Sequence, residues 1–257
     1  ADMIKIRDVN NATLELYHAR HKEEMLGSLN RFFCEDSSQV LNEWLIAIGE
    51  GITRFESEAV NRTLTDEQIN IALKWYVAPG FEETFSRVLV SIMDITQRKI
   101  SEEKLRYLSM HDGLTGLYNR AYFEEEMHRL DSGRSNPVGI IMCDVDGLKL
   151  VNDTFGHDKG DSLLLAASSV LKETLRESDV IARIGGDEFA VLLPRTSESV
   201  VVDIYHRIKD TIERYNATKP VHTLSMSIGY ATKSNASHIM ADLYREADNN
   251  MYREKLS

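Results

Sequence analysis

Two pairs of acidic residues border apolar runs in this sequence. Asp144 and Asp146 follow Val138–Cys143 (VGIIMC), and Asp187 and Glu188 sit inside Arg183-Ile184-Gly185-Gly186-Asp187-Glu188-Phe189. The apolar run reads as a buried central strand. Acids at the end of such a strand emerge at the sheet edge, where ligands of α/β sheets bind. Asp144 and Asp146 share a face if the strand continues; the other reading is a solvated turn. An EF-hand loop does not fit, because Leu148 holds its fifth position and the glycine is misplaced. Gly185-Gly186 between two apolar segments signals a tight hairpin. If the two segments pair, Asp144 and a hairpin carboxylate can hold two divalent cations, and paired metals clamp the attacking and leaving oxygens of an in-line phosphoryl displacement.

A third group runs Asn152-Asp153-Thr154-Phe155-Gly156-His157-Asp158-Lys159-Gly160-Asp161. It reads as a polar loop leading into a helix. No Walker motif is present, so a P-loop is excluded. An amide (Asn152) with a carboxylate (Asp161) matches the guanine edge, with its O6 acceptor and N1/N2 donors, and leaves adenine mispaired. The alternative is that Asp161 is a helix N-cap or first-turn acid.

The elements that must position these groups can be read in outline. Helices are expected at Asn11–Leu26 and Gln39–Ile48, then strands at Thr53–Thr63, Gln68–Val77 and Thr84–Ile95, with Pro79-Gly80 turning between the last two. Asp94–Met110 (DITQRKISEEKLRYLSM) lacks Gly and Pro. It reads as a connector helix capped by Asp94 or Thr96, with Ile100, Leu105 and Leu108 on one edge and too few heptads for a coiled coil. Beyond it come a helix at Ala121–Leu130, the strand at Val138–Cys143, a helix at Asp161–Leu175, strands at Val180–Ile184 and Phe189–Leu193, a helix at Ser199–Tyr215, a strand at Leu224–Ala231 and a helix at Met240–Lys255. Helices packed on a mixed sheet follow.

The 257 residues suit one large domain or two ordinary ones, and 42% hydrophobic with 28% charged residues fits a core-forming protein. A formal net charge of −11 argues against general nucleic-acid binding. It does not exclude a nucleotide, because a local metal overrides net charge. Cys34 and Cys143 form no Cys-x-x-Cys pair; both read as reduced, mostly buried thiols of a cytoplasmic protein. No run approaches the ~18 residues of a membrane span and no signal peptide opens the chain. The abrupt start at Ala1-Asp2-Met3 is what a fragment of a longer protein would show.

Taken together, Asp112-Gly113-Leu114-Thr115-Gly116-Leu117-Tyr118-Asn119-Arg120, Asp144-Val145-Asp146, Asn152–His157, Gly160-Asp161, Gly185–Phe189, Ser227-Ile228-Gly229, Ala247-Asp248, Met251-Tyr252 and Lys255 resemble the GGDEF family of diguanylate cyclases, from Met110 to the C-terminus. The resemblance implies an α+β architecture in three parts. These are a PAS-like antiparallel-sheet domain over 1–96, a connector over 97–110, and a nucleotidyl-cyclase-like (ferredoxin-like) mixed-sheet domain over 111–257. It implies condensation of two GTP into cyclic dimeric GMP with release of two pyrophosphates, in a homodimer whose halves each hold one GTP. Asp144, the Val145 carbonyl and Asp187 would ligate Mg²⁺ (or Mn²⁺), with Glu188 a further metal or acid/base candidate and Asp187 helping to deprotonate the ribose 3′-hydroxyl. Asn152 and Asp161 would recognise guanine, His157 would lie near the same nucleotide, and Lys149 and Lys255 would meet the triphosphate.

Arg176-Glu177-Ser178-Asp179 stands at the spacing of the family's inhibitory product site, and Arg207 at that of a secondary arginine; the alternative is a surface salt-bridge cluster. Gly147-Leu148 departs from the aromatic often found before the lysine, which implies a looser base pocket. The end at Ser257, short of a Gly-Arg-Asn tail, implies one phosphate contact fewer. Asp161, rather than Ser, implies two GTP rather than a mixed product. The N-terminal region resembles a PAS sensor through Asp8–Ala12, Glu15–Tyr17, Glu23–Gly27 and Val90–Lys99, with its first strand absent or cut short and its ligand unknown. His18 and His21 read as solvated helix histidines or as a metal or haem pair. Two rival functions stay open: a catalytically idle GGDEF module that binds GTP or cyclic di-GMP, and a pure dimerisation scaffold.

Overall fold

The computed structural model describes residues 4–28, 32, 37–131, 136–234 and 239–257. Cys34 lies outside them. The chain forms two compact units, Ala1–Lys104 and Leu105–Ser257.

In the first unit β1 (Lys5–Ile6) pairs with β2 (Gly27–Ser28), with α1 (Asn11–Leu16) between them in sequence. Next come α2 (Ser38–Gly49) and the antiparallel strands β3 (Arg54–Arg62), β4 (Gln68–Val77) and β5 (Val88–Asp94). The central strand β4 alternates, burying Ile69, Ile71, Leu73, Trp75 and Val77. Trp75 stacks between Trp44 of α2 and Phe55 of β3, with ring centroids 5.9 and 5.8 Å away. The helix expected over Asn11–Leu26 stops at Leu16. Tyr17 is pulled into the core, where its hydroxyl accepts a 2.6 Å bond from Asn61 Nδ2, and His18 takes a left-handed φ of 58°. The third long strand starts at Val88 rather than Thr84, because a turn at Phe81–Phe85 intervenes, with Phe85 N–H bonded to the Phe81 carbonyl at 2.8 Å. Helix α3 (Thr96–Met110) follows, and Asp94 caps it by accepting from the Thr96 amide.

The second unit opens with β6 (Tyr118–Asn119), α4 (Arg120–Asp131) and β7 (Val138–Val145). Then come α5 (Leu148–Phe155), α6 (His157–Thr174), β8 (Val180–Arg183) and β9 (Glu188–Pro194). It closes with α7 (Glu198–Ala217), β10 (Met226–Lys233) and α8 (Met240–Lys255). The sheet order is β10-β7-β9-β8-β6, antiparallel except for the parallel pair β6–β8. Every position of β7 is buried. That explains its apolar run from Val138 to Cys143, since a strand covered on both faces has no polar side; Asp144 is the strand's one buried charge. Ile141, Cys143 and Val145 join the core under α6 and α7, while Val138, Ile140 and Met142 join the core under α4 and α8. Burial pushes the Cys143 thiol up to about 12, so it is an inert core side chain.

Two close approaches set the frame. A Cβ at Gly229 would strike the α8 backbone at Ala247 and Met251, so α8 lies directly on β10. The second is a clamp at the other edge. Asp112 accepts from the Thr115 amide (2.8 Å) and hydroxyl (2.7 Å), closing a local turn three residues long. It also receives Arg183 Nη1 at 3.2 Å, and the same guanidinium donates through Nη2 to the Gly186 carbonyl at 2.7 Å. The start of the unit is thereby tied to the turn between β8 and β9.

Burial works to raise the Asp112 pKa, but the Thr115 hydrogen bonds and the Arg183 charge outweigh it, and the net shift is downward. A depressed folded pKa gives stability that is present above the unfolded value of about 4 and lost as pH falls through the folded one. Asp112→Asn should therefore be less stable than the parent at pH 7, with the gap closing as pH falls below about 4. Urea unfolding across that range checks this; a gap constant with pH would remove the ionic part of the clamp.

Candidate active site

Strand register brings the two acidic strings together. Asp144 pairs with Glu188 across β7–β9 and with Ser227 across β7–β10. The β8–β9 connection, Ile184-Gly185-Gly186-Asp187, is closed by the Ile184 and Gly185 amides, both donating to the Glu188 carbonyl. Val145 N–H then donates to the Asp187 carbonyl at 2.9 Å, which hooks the turn onto the end of β7. A Cβ at Gly185 would strike the Glu188 side chain, so the first glycine makes room for that carboxylate.

Asp144 is 5% exposed, and its Oδ1 accepts from Lys255 Nζ at 2.7 Å. Burial raises its pKa, and nearby Asp187 and Asp146 push the same way, against Lys255. Glu188 is raised by burial first and then by Asp187, Asp144 and Asp248. The last turn of α8 is pinned for this contact: Glu254 accepts from the Ile228 amide, from Lys209 and from the Tyr205 hydroxyl.

Asp146 lies on the same side as Asp144, since it bonds the hydroxyl of Ser227, the residue paired with Asp144, but it is used differently. Just past the end of the strand at Val145, Asp146 accepts from the Ser225 and Ser227 hydroxyls at 2.6 and 2.7 Å. Its oxygens are therefore occupied by a structural role.

The stretch read as a loop from Asn152 is largely helical. Asn152 lies on α5, Gly156 forms the corner at φ 86°, and His157 is the first residue of α6. The interruption at Gly156 hides two helices behind one polar string. Asp161 is the fifth residue of α6, past the cap and past the first-turn acid Asp158, so neither bland reading of it holds. A Cβ at Gly160 would collide with the Asn152 side chain, which places that amide against the residue preceding Asp161. Asn152 Oδ1 is buried with no partner among the described residues. His157, Asp161 and Lys149 are exposed. Gly147 takes a left-handed φ of 71° at the head of α5, and Leu148 is buried in the core.

Arg176, Asp179 and Arg207 also converge. Asp179 is buried, accepting from the Arg176 amide at 3.0 Å, and Arg207 donates to the Thr174 carbonyl at the end of α6. Arg176 is exposed beside them.

Sequence reading left Asp112, Arg183 and Glu254 without roles. Asp-x-x-Thr is a readable turn signal and a cation just before Gly-Gly a readable anchor; Glu254 carried none, because its partners come from distant elements.

The donors gathered here are all oxygens, which suits Mg²⁺ rather than a softer ion. Among the described residues no three acidic, His or Cys side chains close into a ready cage. The crowding of Asp144, Asp187 and Glu188 nevertheless demands positive charge, and Lys255 already supplies some at Asp144. The residues thus fit a divalent cation by donor chemistry and by charge.

Comparison with known proteins agrees with this geometry. The family described as "Diguanylate cyclase, GGDEF domain" matches residues 109–257. Diguanylate cyclase DgcM of Escherichia coli (strain K12) is 30% identical over 175 residues, 65% of this chain and 41% of that protein. The probable diguanylate cyclase DgcC of the same strain is 34% identical over 189 residues, 71% of this chain and 51% of that protein. The chain thus spans about half or less of these curated relatives' length. Among solved structures, the coiled coil and GGDEF domain of DgcB from Caulobacter crescentus, in complex with c-di-GMP, has a TM-score of 0.55 at 25% identity, covering 63% of this chain and 88% of that one. Diguanylate cyclase SiaD of Pseudomonas aeruginosa, solved with its activator SiaC, has a TM-score of 0.53 at 29% identity, covering 62% of this chain and 63% of that one. With the family match, the Asp144–Glu188 register and the hooked Gly-Gly turn together, the chain belongs to the GGDEF family of diguanylate cyclase domains.

Proposed function

We propose that this protein is a Mg²⁺-dependent diguanylate cyclase that condenses two GTP into cyclic di-GMP and two pyrophosphates. The observation that carries the reading is the end of β7. There Asp144, the Val145 backbone and the Asp187–Glu188 turn meet, with Lys255 pointing in.

Asp144, the Val145 carbonyl, Asp187 and Glu188 would hold the cation, which when bound neutralises charge on the phosphate oxygens. Lys255 and Lys149 bring further positive charge to the triphosphate. Asn152, wedged against Gly160, and Asp161 read the guanine edge, with His157 on the same corner. The 3′-oxygen of one nucleotide attacks the α-phosphorus of the other, pyrophosphate leaves, and the hydroxyl proton passes to Asp187. Glu188 stands beside it as an alternative acceptor. Positioning and electrostatics supply most of the rate in such a transfer. Because one unit holds one nucleotide, two copies must face each other, and the active form is a homodimer.

The first unit we take as a PAS-like sensor. Its antiparallel sheet, its two-residue first strand and the Asp94 cap that starts α3 support this. The Arg176–Asp179 turn with Arg207 offers guanidinium groups for a feedback product.

Three outcomes are expected. Asp144→Ala and Asp187→Ala each lower kcat by at least about 10³, equivalent to ~4 kcal/mol of barrier, when GTP and Mg²⁺ are incubated and the products separated by chromatography. Parent protein that binds GTP but leaves it unchanged would favour the idle receptor instead. Asn152→Ala narrows the preference for GTP over ATP by at least about tenfold, read from competing-substrate assays, because the unpaired edge loses its penalty. Arg176→Ala raises the concentration of cyclic di-GMP needed for half-inhibition without changing the initial rate; unaltered inhibition would return that turn to a surface ion-pair role.

A further inference from the structure

Four aromatic rings stand in a column at the start of the second unit. Tyr107 of α3 lies over His111 with centroids 4.0 Å apart and planes 7° from parallel. His111 lies over Tyr118 at 4.7 Å, and Tyr118 over Tyr122 at 3.9 Å and 13°. Backbone ties follow the same path. His111 and Tyr118 form an antiparallel bridge, and His111 Nδ1 sits 3.3 Å from the Gly116 carbonyl. The Asn119 side chain donates to the Ser109 carbonyl at 2.9 Å and accepts from the Tyr122 amide at 3.0 Å. The column therefore joins the last turns of α3 to β6 and to the first turn of α4.

Burial accounts for only part of it: Tyr118 and Tyr122 pack against the core under α4 and α8, whereas Tyr107 is half exposed. Nor does any step proposed above use these rings. Their placement is what matters: the column ends where the clamp begins. Asp112 directly follows His111, and β6 pairs in parallel with Ala182 and Arg183. Arg183 in turn holds both Asp112 and the Gly186 carbonyl, one residue before Asp187.

We infer that the column Tyr107–His111–Tyr118–Tyr122 positions the Gly-Gly-Asp-Glu turn, acting through Asp112 and Arg183. The stacked rings fix the spacing along the column, and the Asn119 hydrogen bonds with the His111–Tyr118 bridge fix its register, so β6 and Asp112 are held at one offset from the end of α3. Arg183 transfers that offset to the Gly186 carbonyl. No ring touches a reacting atom, so Tyr107, His111, Tyr118 and Tyr122 are positioning residues. The inference rests on the reading of Asp187 as a catalytic residue.

The test compares Tyr107→Leu, which removes the ring, with Tyr107→Phe, which keeps it, in the full 257-residue chain. Displacement of a reacting group by about 1 Å costs up to roughly hundredfold in rate. Tyr107→Leu should therefore lower kcat by roughly ten- to hundredfold with KM for GTP within about twofold, and Tyr107→Phe should restore it. Backbone amide NMR gives a second readout that needs no turnover: the Gly185, Gly186 and Asp187 peaks should move in the Leu variant and not in the Phe variant. Tyr118→Leu against Tyr118→Phe should repeat the pattern and serves if Tyr107→Leu fails to fold. Hairpin peaks that stay in place in the Leu variants, or Leu and Phe variants with equal kcat, would overturn the inference. If the parent makes no cyclic di-GMP while the peaks respond as stated, the positioning role stands and the cyclase reading falls.

Discussion

A carboxylate held almost out of water at the end of a strand buried on both faces cannot stay charged without positive partners nearby. Asp144 is in that situation, and the rest of the second unit is arranged around it. Its place is set by β7, whose apolar side chains feed two cores. Its neighbours are set by register, with Glu188 on one side and Ser227 on the other. Its counter-charge comes from the far end of the chain, through Lys255. An isolated buried charge costs several kcal/mol even after relaxation, so helix α8 is as much a part of this corner as the strand is. The close seat of α8 on Gly229 and the Glu254 contacts are the means by which a C-terminal helix is held in register with a central strand.

The neighbouring acids divide their work. Asp146, two residues on, is spent on the Ser225 and Ser227 hydroxyls and fixes the loop entering β10. Asp187 is placed by its own backbone, through the Val145 amide, so its side chain is left for other work. Glu188 occupies the room that Gly185 vacates. Identical chemistry thus serves three ends, decided by which elements supply the hydrogen-bond donors.

Much of this was legible before any coordinates. The apolar run of β7, the Gly-Gly turn and the ends of β4 and α8 follow from composition and period alone, and the acids stood out by their position beside those elements. What was hidden has one physical cause in each place. Gly156 breaks α5 from α6 with a single residue of positive φ, so the end of α5 and the first turn of α6 passed for a loop. Tyr17 ends α1 early because a hydrogen bond to Asn61 outweighs local helical preference. Arg183 and Glu254 act on partners far away in sequence, and no local pattern announces such pairs. The role of Asp146 was hidden for the same reason, because its partners Ser225 and Ser227 stand far along the chain.

The contact between Gly160 and Asn152 carries a wider consequence. The amide assigned to reading the base has its room only because a residue on another helix has no side chain. Any substituent at position 160 would displace that amide. If Asn152 reads the base as proposed, natural variation in base selectivity should surface as correlated changes at 152 and 160.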